Sequence, residues 1–384
     1  MTTYSLPLGF KGAGIAAGIK SSGAKDLSLI VNEGPLQIGT AVFTSNKVVA
    51  APVTWSKSVI MDGEVRAVVL NSGGANACTG PEGFFDTHRT AEYVAENLDI
   101  SASDVIVCST GLIGVRLPMP ELLSGIDQAI SQLSIENGLQ VAEGIMTTDS
   151  HPKVIATEAS GVRFFGMAKG AGMLAPSLAT MLSVVATDAI VNLESARSIF
   201  ADVVSRTYNR IDSDGCTSTN DTVLFMASGA SGIELSDEDL RSELLKVASY
   251  LSYELIADAE GHSKIVSIEV KGAANEADAV AIGRACARNN LLKCALHGED
   301  ANWGRVLAAV GTVDAEFDPY QIDVALNGVW VCKSSAPGED RSLADLSGNR
   351  IEIVINMNAG NESATIWTND LTAMYVHENS SYSS

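Results

Sequence analysis

One segment combines the residue types needed for an unusual nucleophile: residues 168–182 place a lysine, a Gly-x-Gly turn, a proline and a threonine in an apolar run. Burying the Thr180 hydroxyl without a partner costs about 1–3 kcal/mol, so we expect it to be satisfied or used. A threonine becomes a nucleophile when its own α-amine, of pKa ~7.7–8.0, takes the hydroxyl proton, which requires cleavage of the Ala179–Thr180 bond. A β-branched residue in a buried strand is the plainer interpretation of the same threonine.

Glycine, asparagine and small hydroxyl residues are concentrated in five stretches. Glycine allows backbone N–H groups to approach a ligand closely, and hydroxyls add adaptable donors. Any one stretch alone is typical of an ordinary turn, but their number favours a binding or catalytic site. The stretches are 11–14, 71–80, 109–114, 169–173 and 212–221.

Several common motifs are incomplete or missing. Gly12, Gly14 and Gly18 have the spacing GxGxxxG, one residue too long for a dinucleotide-binding fingerprint, and no GxxxxGK[ST], GxSxG or HExxH sequence occurs. The five histidines are far apart, and the six cysteines include no CxxC pair. We therefore expect neither a disulfide framework nor a metal site.

Composition excludes further classes. The chain has 384 residues, 46% of them hydrophobic, and a formal charge of −21, which repels nucleic-acid phosphates and anionic lipids. The first residues lack a basic region followed by an apolar one, so we expect a cytoplasmic protein without a secretory signal. Residues 170–187 are uncharged and about as long as a membrane span, but their glycine, proline and serine content favours buried backbone.

Hydrophobic periodicity predicts alternating strands and helices and thus an α/β or α+β class. Runs of β-branched residues predict strands at 65–71, 104–109, 265–270, 322–326, 351–355 and 364–367. Amphipathic spacing predicts helices at 120–133, 193–211 and 236–257, with Asn192 and Ser236 at the starts of the last two. Acidic turns at 313–318 and 334–340 suggest the boundary of a C-terminal lobe.

Eight ordered blocks make the chain resemble the ornithine acetyltransferase family, the glutamate N-acetyltransferases of the cyclic arginine pathway, over nearly its whole length. Gly74 stands where many members carry Asn, and Ala301 where many carry Pro; we expect only local backbone effects. The blocks are 11–14, 71–80, 109–111, 146–149, 168–182, 258–261, 297–305 and 379–384.

This resemblance implies an α/β fold in which β-sheets are sandwiched between helices. It further implies self-cleavage at Ala179–Thr180 into intertwined chains, an α-chain of residues 1–179 and a β-chain of residues 180–384. Two copies of each chain would form a heterotetramer. No metal or organic cofactor is implied, and acetyl-CoA stays open as a co-substrate.

The implied reaction is a ping-pong transfer of the acetyl group of N2-acetyl-L-ornithine through acetyl-Thr180 to L-glutamate, releasing L-ornithine and N-acetyl-L-glutamate. Thr110 and Gly111 are similar to the family's oxyanion-stabilising pair. A self-cleaving amidohydrolase or aminopeptidase of the same N-terminal-nucleophile type is the alternative. The substrate contacts implied by the resemblance are Thr147, with Thr148 as the alternative alignment, Lys169, Thr180, Glu260, Asn379 and Ser384.

Overall fold

The structure, a computed structural model, describes residues 4–174 and 181–381; Ala179, Thr180 and Ser384 lie outside the described residues. The strands are β1 Phe10–Ile15, β2 Leu27–Asn32, β3 Ile38–Phe43, β4 Ala67–Asn71, β5 Val105–Ser109, β6 Lys153–Ala159, β7 Val162–Lys169, β8 Leu182–Thr187, β9 Thr222–Ala227, β10 Ile265–Ala273, β11 Asp323–Leu326, β12 Val329–Lys333, β13 Ala336–Pro337, β14 Arg350–Asn356 and β15 Glu362–Asn369. The α-helices are α1 Ala51–Val59, α2 Gly80–Leu98, α3 Met119–Ser131, α4 Gly138–Glu143, α5 Leu193–Arg206, α6 Asp237–Ala257, α7 Glu276–Ala287, α8 Asn290–His297, α9 Trp303–Val310 and α10 Ala373–Ser381.

Two sheets pack face to face. The first has the strand order β1-β2-β4-β5 and the second β3-β9-β8-β7-β6. Alternate side chains of a strand point to opposite faces, so Val184 of β8 joins the core between the sheets while Val185 faces away from it. The core between the sheets contains Ile30, Leu70 and Ile106 from the first sheet and Phe165, Val184 and Leu224 from the second.

Helices cover the outer faces of both sheets. Val94 of α2 and Ile126 of α3 pack against the first sheet. Phe200 of α5 and Leu251 of α6 pack against the second. These four layers confirm the prediction of β-sheets sandwiched between helices; cleavage into two chains stays a prediction.

A third sheet has the order β13-β12-β11-β14-β10-β15 and forms its own core with α7, α8 and α9. Because β10 pairs with β14 and β15, this body already begins at residue 265. The turns at 313–318 and 334–340 therefore lie inside it and mark no boundary. Among the helices of the described residues, none is long and apolar enough to cross a membrane.

The predicted helix starts are confirmed. Asn192 accepts hydrogen bonds from the amides of Glu194 and Ser195, and Ser236 accepts one from the amide of Asp239. Helix α5 ends at Arg206, earlier than predicted, and a 3₁₀ turn at Tyr208–Arg210 follows. That turn buries the Tyr208 ring and places its hydroxyl 2.8 Å from the Ser183 hydroxyl.

Strand ends of the first two sheets meet at one place. Parallel strands β4 and β5 end together at Asn71 and Ser109. Parallel strands β8 and β9 start together at Leu182 and Thr222, and Lys169 at the end of β7 pairs with Leu182. Loops that follow β4, β5 and β7 and loops that precede β8 and β9 form the candidate site; only β4 and β5 contribute the carboxyl ends of parallel strands, where ligands commonly bind.

Candidate active site

A cleft of about 610 Å³, open mouth included, lies where those strand ends meet. It brings together every sequence-predicted site residue that the structure describes, although these residues come from distant parts of the chain. The nucleophile candidate Thr180, its neighbour Ala179 and Ser384 are outside the described residues. The lining is Ala75, Thr110, Gly111, Ile113, Thr147, Thr148, Lys169, Gly172, Met173, Ser218, Thr219, Asn220, Glu260 and Asn379.

Thr110 and Gly111 follow β5 and offer donors to the cleft. The Thr110 amide donates to the Asn71 carbonyl oxygen over 2.9 Å, so this N–H is engaged. The Thr110 hydroxyl is buried and has no partner among the described residues. Gly111 has φ +129°, and a Cβ there would lie 2.8 Å from the Gly74 amide nitrogen. Glycine is therefore required at 111, and the hydroxyl is the donor that Thr110 has available.

Asn220, which sequence reasoning did not single out, connects the loops of the first sheet to the start of β9. Its amide group donates to the carbonyl oxygens of Ala75, over 2.6 Å, and Ser109, over 2.8 Å. These bonds fix the loop that carries Thr110. The glycine- and hydroxyl-rich stretch 212–221 was the signal available in the sequence.

Lys169 is a fully buried cation at the end of β7. Its ammonium donates to the Thr147 hydroxyl over 3.1 Å. Burial lowers the pKa of Lys169 to about 8; the charges of Asp149 and Asp221 oppose this shift, and two neighbouring lysines add to it. The side chain can therefore carry a positive charge that attracts an anionic group up to mildly alkaline pH.

Asp149 organises the backbone around Lys169. One carboxylate oxygen accepts the Gly170 amide over 2.7 Å, and the other accepts the Thr147 amide over 2.8 Å. Burial alone would raise the pKa of Asp149, but the charges of Lys153 and Lys169 outweigh it and lower the pKa to about 2. The carboxylate is therefore ionised in the folded protein near neutral pH.

Glu260 enters the cleft from the loop after α6. Its Oε1 accepts a hydrogen bond from the Thr148 hydroxyl over 2.7 Å, and its amide donates to the Ala171 carbonyl oxygen over 2.9 Å. A Cβ on Gly172 would lie 2.7 Å from Glu260 Oε2, so a larger residue at 172 would displace this carboxylate from its observed position. Because Thr147 contacts Lys169 and Thr148 contacts Glu260, both alternatives from the sequence line the cleft.

Asn379 reaches the cleft from α10, a helix with no buried residue in its described part. The helix is attached through Tyr375, whose hydroxyl donates to Asp214 Oδ1 over 2.8 Å. Burial and the neighbouring Asp214 raise the pKa of Tyr375, so the phenol stays a neutral donor. Asp214 Oδ2 accepts the Leu174 amide over 2.6 Å, which links α10 to the chain that leads toward residue 175.

The chain on the other side of residues 175–180 is also anchored. Asp221 Oδ1 accepts the Met181 amide over 3.0 Å. Asp221 is completely buried, which raises its pKa well above the ordinary range. Neither Asp214 nor Asp221 was chosen from the sequence, although both lie in the stretch 212–221.

The two departures from the usual family pattern lie outside the cleft lining. Gly74 faces Gly111, and a Cβ on it would lie 3.0 Å from Leu117. Ala301 is buried in the core of the third sheet. Within residues 4–174 and 181–381, no group of three or more His, Cys, Asp and Glu side chains could hold a metal ion.

Sequence comparison matches this chain to one family over nearly its whole length. A sequence profile described as the ArgJ family matches residues 11–384. An arginine biosynthesis bifunctional protein ArgJ from Thermobifida fusca is 54% identical over 381 residues, covering 99% of this chain and 100% of that relative. The protein of the same name from Streptomyces avermitilis is 57% identical over 376 residues, covering 98% of each. A crystal structure of ornithine acetyltransferase complexed with ornithine from Mycobacterium tuberculosis is 48% identical, covers 46% of this chain and 97% of that one, and has a TM-score of 0.42. The chain therefore belongs to the ArgJ family.

Proposed function

We propose that this protein transfers the acetyl group of N2-acetyl-L-ornithine to L-glutamate, through an ester on Thr180 that forms after cleavage of the Ala179–Thr180 bond. One observation carries the proposal: a single cleft holds a hydroxyl donor without a partner among the described residues, a buried ammonium and a carboxylate, next to the chain that enters and leaves residues 175–180. Family membership agrees with this chemistry.

In the first half-reaction, the free α-amine of Thr180 takes the hydroxyl proton, and the oxygen attacks the acetyl carbonyl carbon. The Thr110 hydroxyl and the Gly111 amide donate to the oxyanion that forms. The C–N bond then breaks, the proton passes from the α-amine to the leaving amine of ornithine, and the acetyl group stays on Thr180. In the second half-reaction, the amine of glutamate attacks the carbonyl carbon of the Thr180 ester and passes a proton to the α-amine of Thr180. The ester C–O bond then breaks, the α-amine returns the proton to the Thr180 oxygen, and N-acetylglutamate leaves.

Both substrates carry an α-carboxylate, and Lys169 is the buried cation available to bind it. We propose that Glu260 binds the side-chain ammonium of ornithine. Thr147, Thr148, Asn379 and Ser384 complete the proposed set of substrate contacts. The positive charge of Lys169 can therefore bind an anionic group in the cleft although the whole chain carries −21.

Intact-mass measurement and acetyl transfer test the proposal together. The purified protein is expected to give two chains, residues 1–179 and 180–384, and to form N-acetylglutamate from N-acetylornithine and glutamate. Thr180→Ala should give one 40.1 kDa chain without transfer activity, whereas Thr180→Ser retains a hydroxyl and should retain part of both activities. An active wild-type preparation made only of the uncleaved chain would contradict the mechanism.

A self-cleaving amidohydrolase or aminopeptidase is the second candidate, because water can also attack an acyl-threonine ester. The product distinguishes the two: acetate accumulates if water is the acceptor, and N-acetylglutamate if glutamate is. Loss of acetate production when glutamate is added would support the transferase.

The remaining parts of the proposal concern partners and assembly. We propose that the reaction needs no metal or organic cofactor, which dialysis against a chelator tests. An assay with acetyl-CoA as the sole acetyl donor shows whether it is also a co-substrate for the acetylation of glutamate. The assembly we propose is a cytoplasmic heterotetramer of two α-chains and two β-chains. Light scattering of the cleaved protein should then give twice the mass of one α- and one β-chain.

A further inference from the structure

A buried ammonium lies behind the cleft and joins two of its walls. Lys153 is the first residue of β6, and its side chain has no exposure to solvent. Its Nζ is 2.6 Å from Asp149 Oδ1 and 2.6 Å from Asp258 Oδ2. Because a buried charge is costly unless it is paired, this double pairing fixes residues 149 and 258 relative to each other.

Each of these carboxylates also accepts hydrogen bonds from backbone amides. Asp149 accepts the amides of Thr147 and Gly170. Asp258 Oδ2 accepts the amide of Ser150 over 3.0 Å, and Oδ1 accepts the Ser150 hydroxyl. Lys153 is therefore the point at which three segments meet, namely 147–150, 169–172 and 258–260.

The same three segments carry cleft side chains that contact one another: Thr147 with Lys169, and Thr148 with Glu260. We propose that Lys153 is a positioning residue for acyl transfer, which holds the wall bearing the two threonines against the wall bearing Glu260. Lys153 does not line the cleft, so it acts through its neighbours and not on the substrate. The reaction that it serves rests on the proposed function.

The charges around Lys169 provide a readout that a purely structural role would not change. The charged groups with the largest effect on Lys169 are Asp149 and Asp221, which raise its pKa, and Lys153 and Lys20, which lower it; Glu260 also lines the cleft. Removing the charge of Lys153 therefore raises the pKa of Lys169, and removing the charge of Asp149 lowers it. If Lys169 binds the substrate carboxylate, KM rises with pH above about 8 in the wild type. This rise should move to higher pH in Lys153→Met and to lower pH in Asp149→Asn.

A matched control exists at the edge of the third-sheet body. Lys264 is also buried, and its ammonium binds Glu299 and the carbonyl oxygens of residues 346, 347 and 348. Lys264→Met removes a comparable buried ammonium from a place outside the cleft. It is expected to lower the Tm while leaving kcat/KM unchanged below the melting range.

The experiment measures kcat, KM, Tm and amide hydrogen exchange for wild type, Lys153→Met, Lys153→Arg, Asp149→Asn and Lys264→Met. We expect Lys153→Met to lower kcat/KM about 100-fold, as a small misplacement of positioned groups does, and Lys153→Arg to restore part of it. Amides in 147–150, 169–172 and 258–260 should exchange faster in Lys153→Met and not in Lys264→Met.

Wild-type kcat/KM in Lys153→Met, or an equal loss of kcat/KM in Lys264→Met, would overturn the proposal. Unchanged exchange in the three segments would do so as well. If Lys153→Met does not fold, Asp258→Asn replaces it in every measurement, because it weakens the ion pair between Lys153 and Asp258. If the wild type forms no N-acetylglutamate, the proposed function fails, while the exchange measurements still decide whether Lys153 holds the walls together.

Discussion

Asp214 and Asp221 hold the two described ends of the segment that contains Thr180: Asp214 accepts the Leu174 amide, and Asp221 accepts the Met181 amide. Both carboxylates come from the single stretch 212–221, and Asp214 also binds Tyr375 of α10. The proposed cleavage site is thus bracketed by two fixed points. A chain that must break one peptide bond within a short segment benefits from such fixed ends, because they limit the conformations open to the reacting groups.

We predict that Asp221→Leu slows formation of the two chains, because it removes the acceptor of the Met181 amide and leaves a buried N–H unsatisfied at a cost of about 1–3 kcal/mol. Asp221→Asn keeps an amide oxygen as acceptor and should cleave faster than Asp221→Leu. The time course of fragment formation on a denaturing gel measures this order. Asp323→Asn is the control, since Asp323 also accepts a backbone amide, from Ser334, but in the third sheet. Wild-type cleavage in a folded Asp221→Leu protein would contradict the prediction.

The Thr110 hydroxyl gives a second prediction. It is buried without a partner among the described residues, so Thr110→Val should not lower the Tm, because no hydrogen bond of the described structure is lost. If the hydroxyl donates to the oxyanion, the same variant should lower kcat about 10²–10³-fold and leave KM nearly unchanged. Thr110→Ser restores the donor and should recover most of the rate. A large drop in Tm with an unchanged kcat would show a structural role instead.

The secondary structure near the cleft could be predicted from local patterns. The strand predicted at 104–109 is observed as Val105–Ser109, because a run of β-branched and apolar residues suits a fully buried strand. By contrast, α10 has no apolar face buried in its described part, so periodicity gave no signal for it. The placement of Asn379 in the cleft was expected from the family resemblance alone.

Long-range ion pairs were beyond sequence reasoning. Lys153 and Asp258 are 105 residues apart, and no local pattern links them. Lys153 and Asp149 are four apart, a spacing that would suggest a helix, yet Lys153 begins a strand. Which charges are buried together depends on how the sheets and loops pack, and that information appears only once the strands are assembled.

Gly172 gives a third prediction, since its missing side chain leaves space for Glu260. A Cβ at 172 would lie 2.7 Å from Glu260 Oε2, so Gly172→Ala should displace the carboxylate and raise KM for N-acetylornithine about tenfold or more. Gly348→Ala is a suitable control, because a Cβ there would meet nothing closer than 4.0 Å. Steady-state kinetics of both variants would test this. An unchanged KM in Gly172→Ala would show that the position of Glu260 does not limit ornithine binding.

Asp149 gives a prediction about stability in acid. Its pKa falls from an ordinary 3.8 to about 2 in the folded protein, although burial opposes the shift, because Lys153 and Lys169 lie close by. A carboxyl group whose pKa is lower in the folded than in the unfolded protein stabilises the folded state at pH values above its unfolded-state pKa. That contribution disappears as the pH falls through the folded-state pKa. The shift corresponds to about 2 kcal/mol of unfolding free energy near neutral pH.

Chemical denaturation of wild type and Asp149→Asn at several pH values tests this contribution. The variant should be less stable at neutral pH, and the difference between the two proteins should shrink as the pH falls from about 4 toward about 2. Asp62→Asn is the control: Asp62 is an exposed carboxylate that accepts the Glu64 amide, so its removal should change the curve little. A difference that stays constant across this range would mean that Asp149 stabilises the fold by packing and hydrogen bonds that do not depend on its charge.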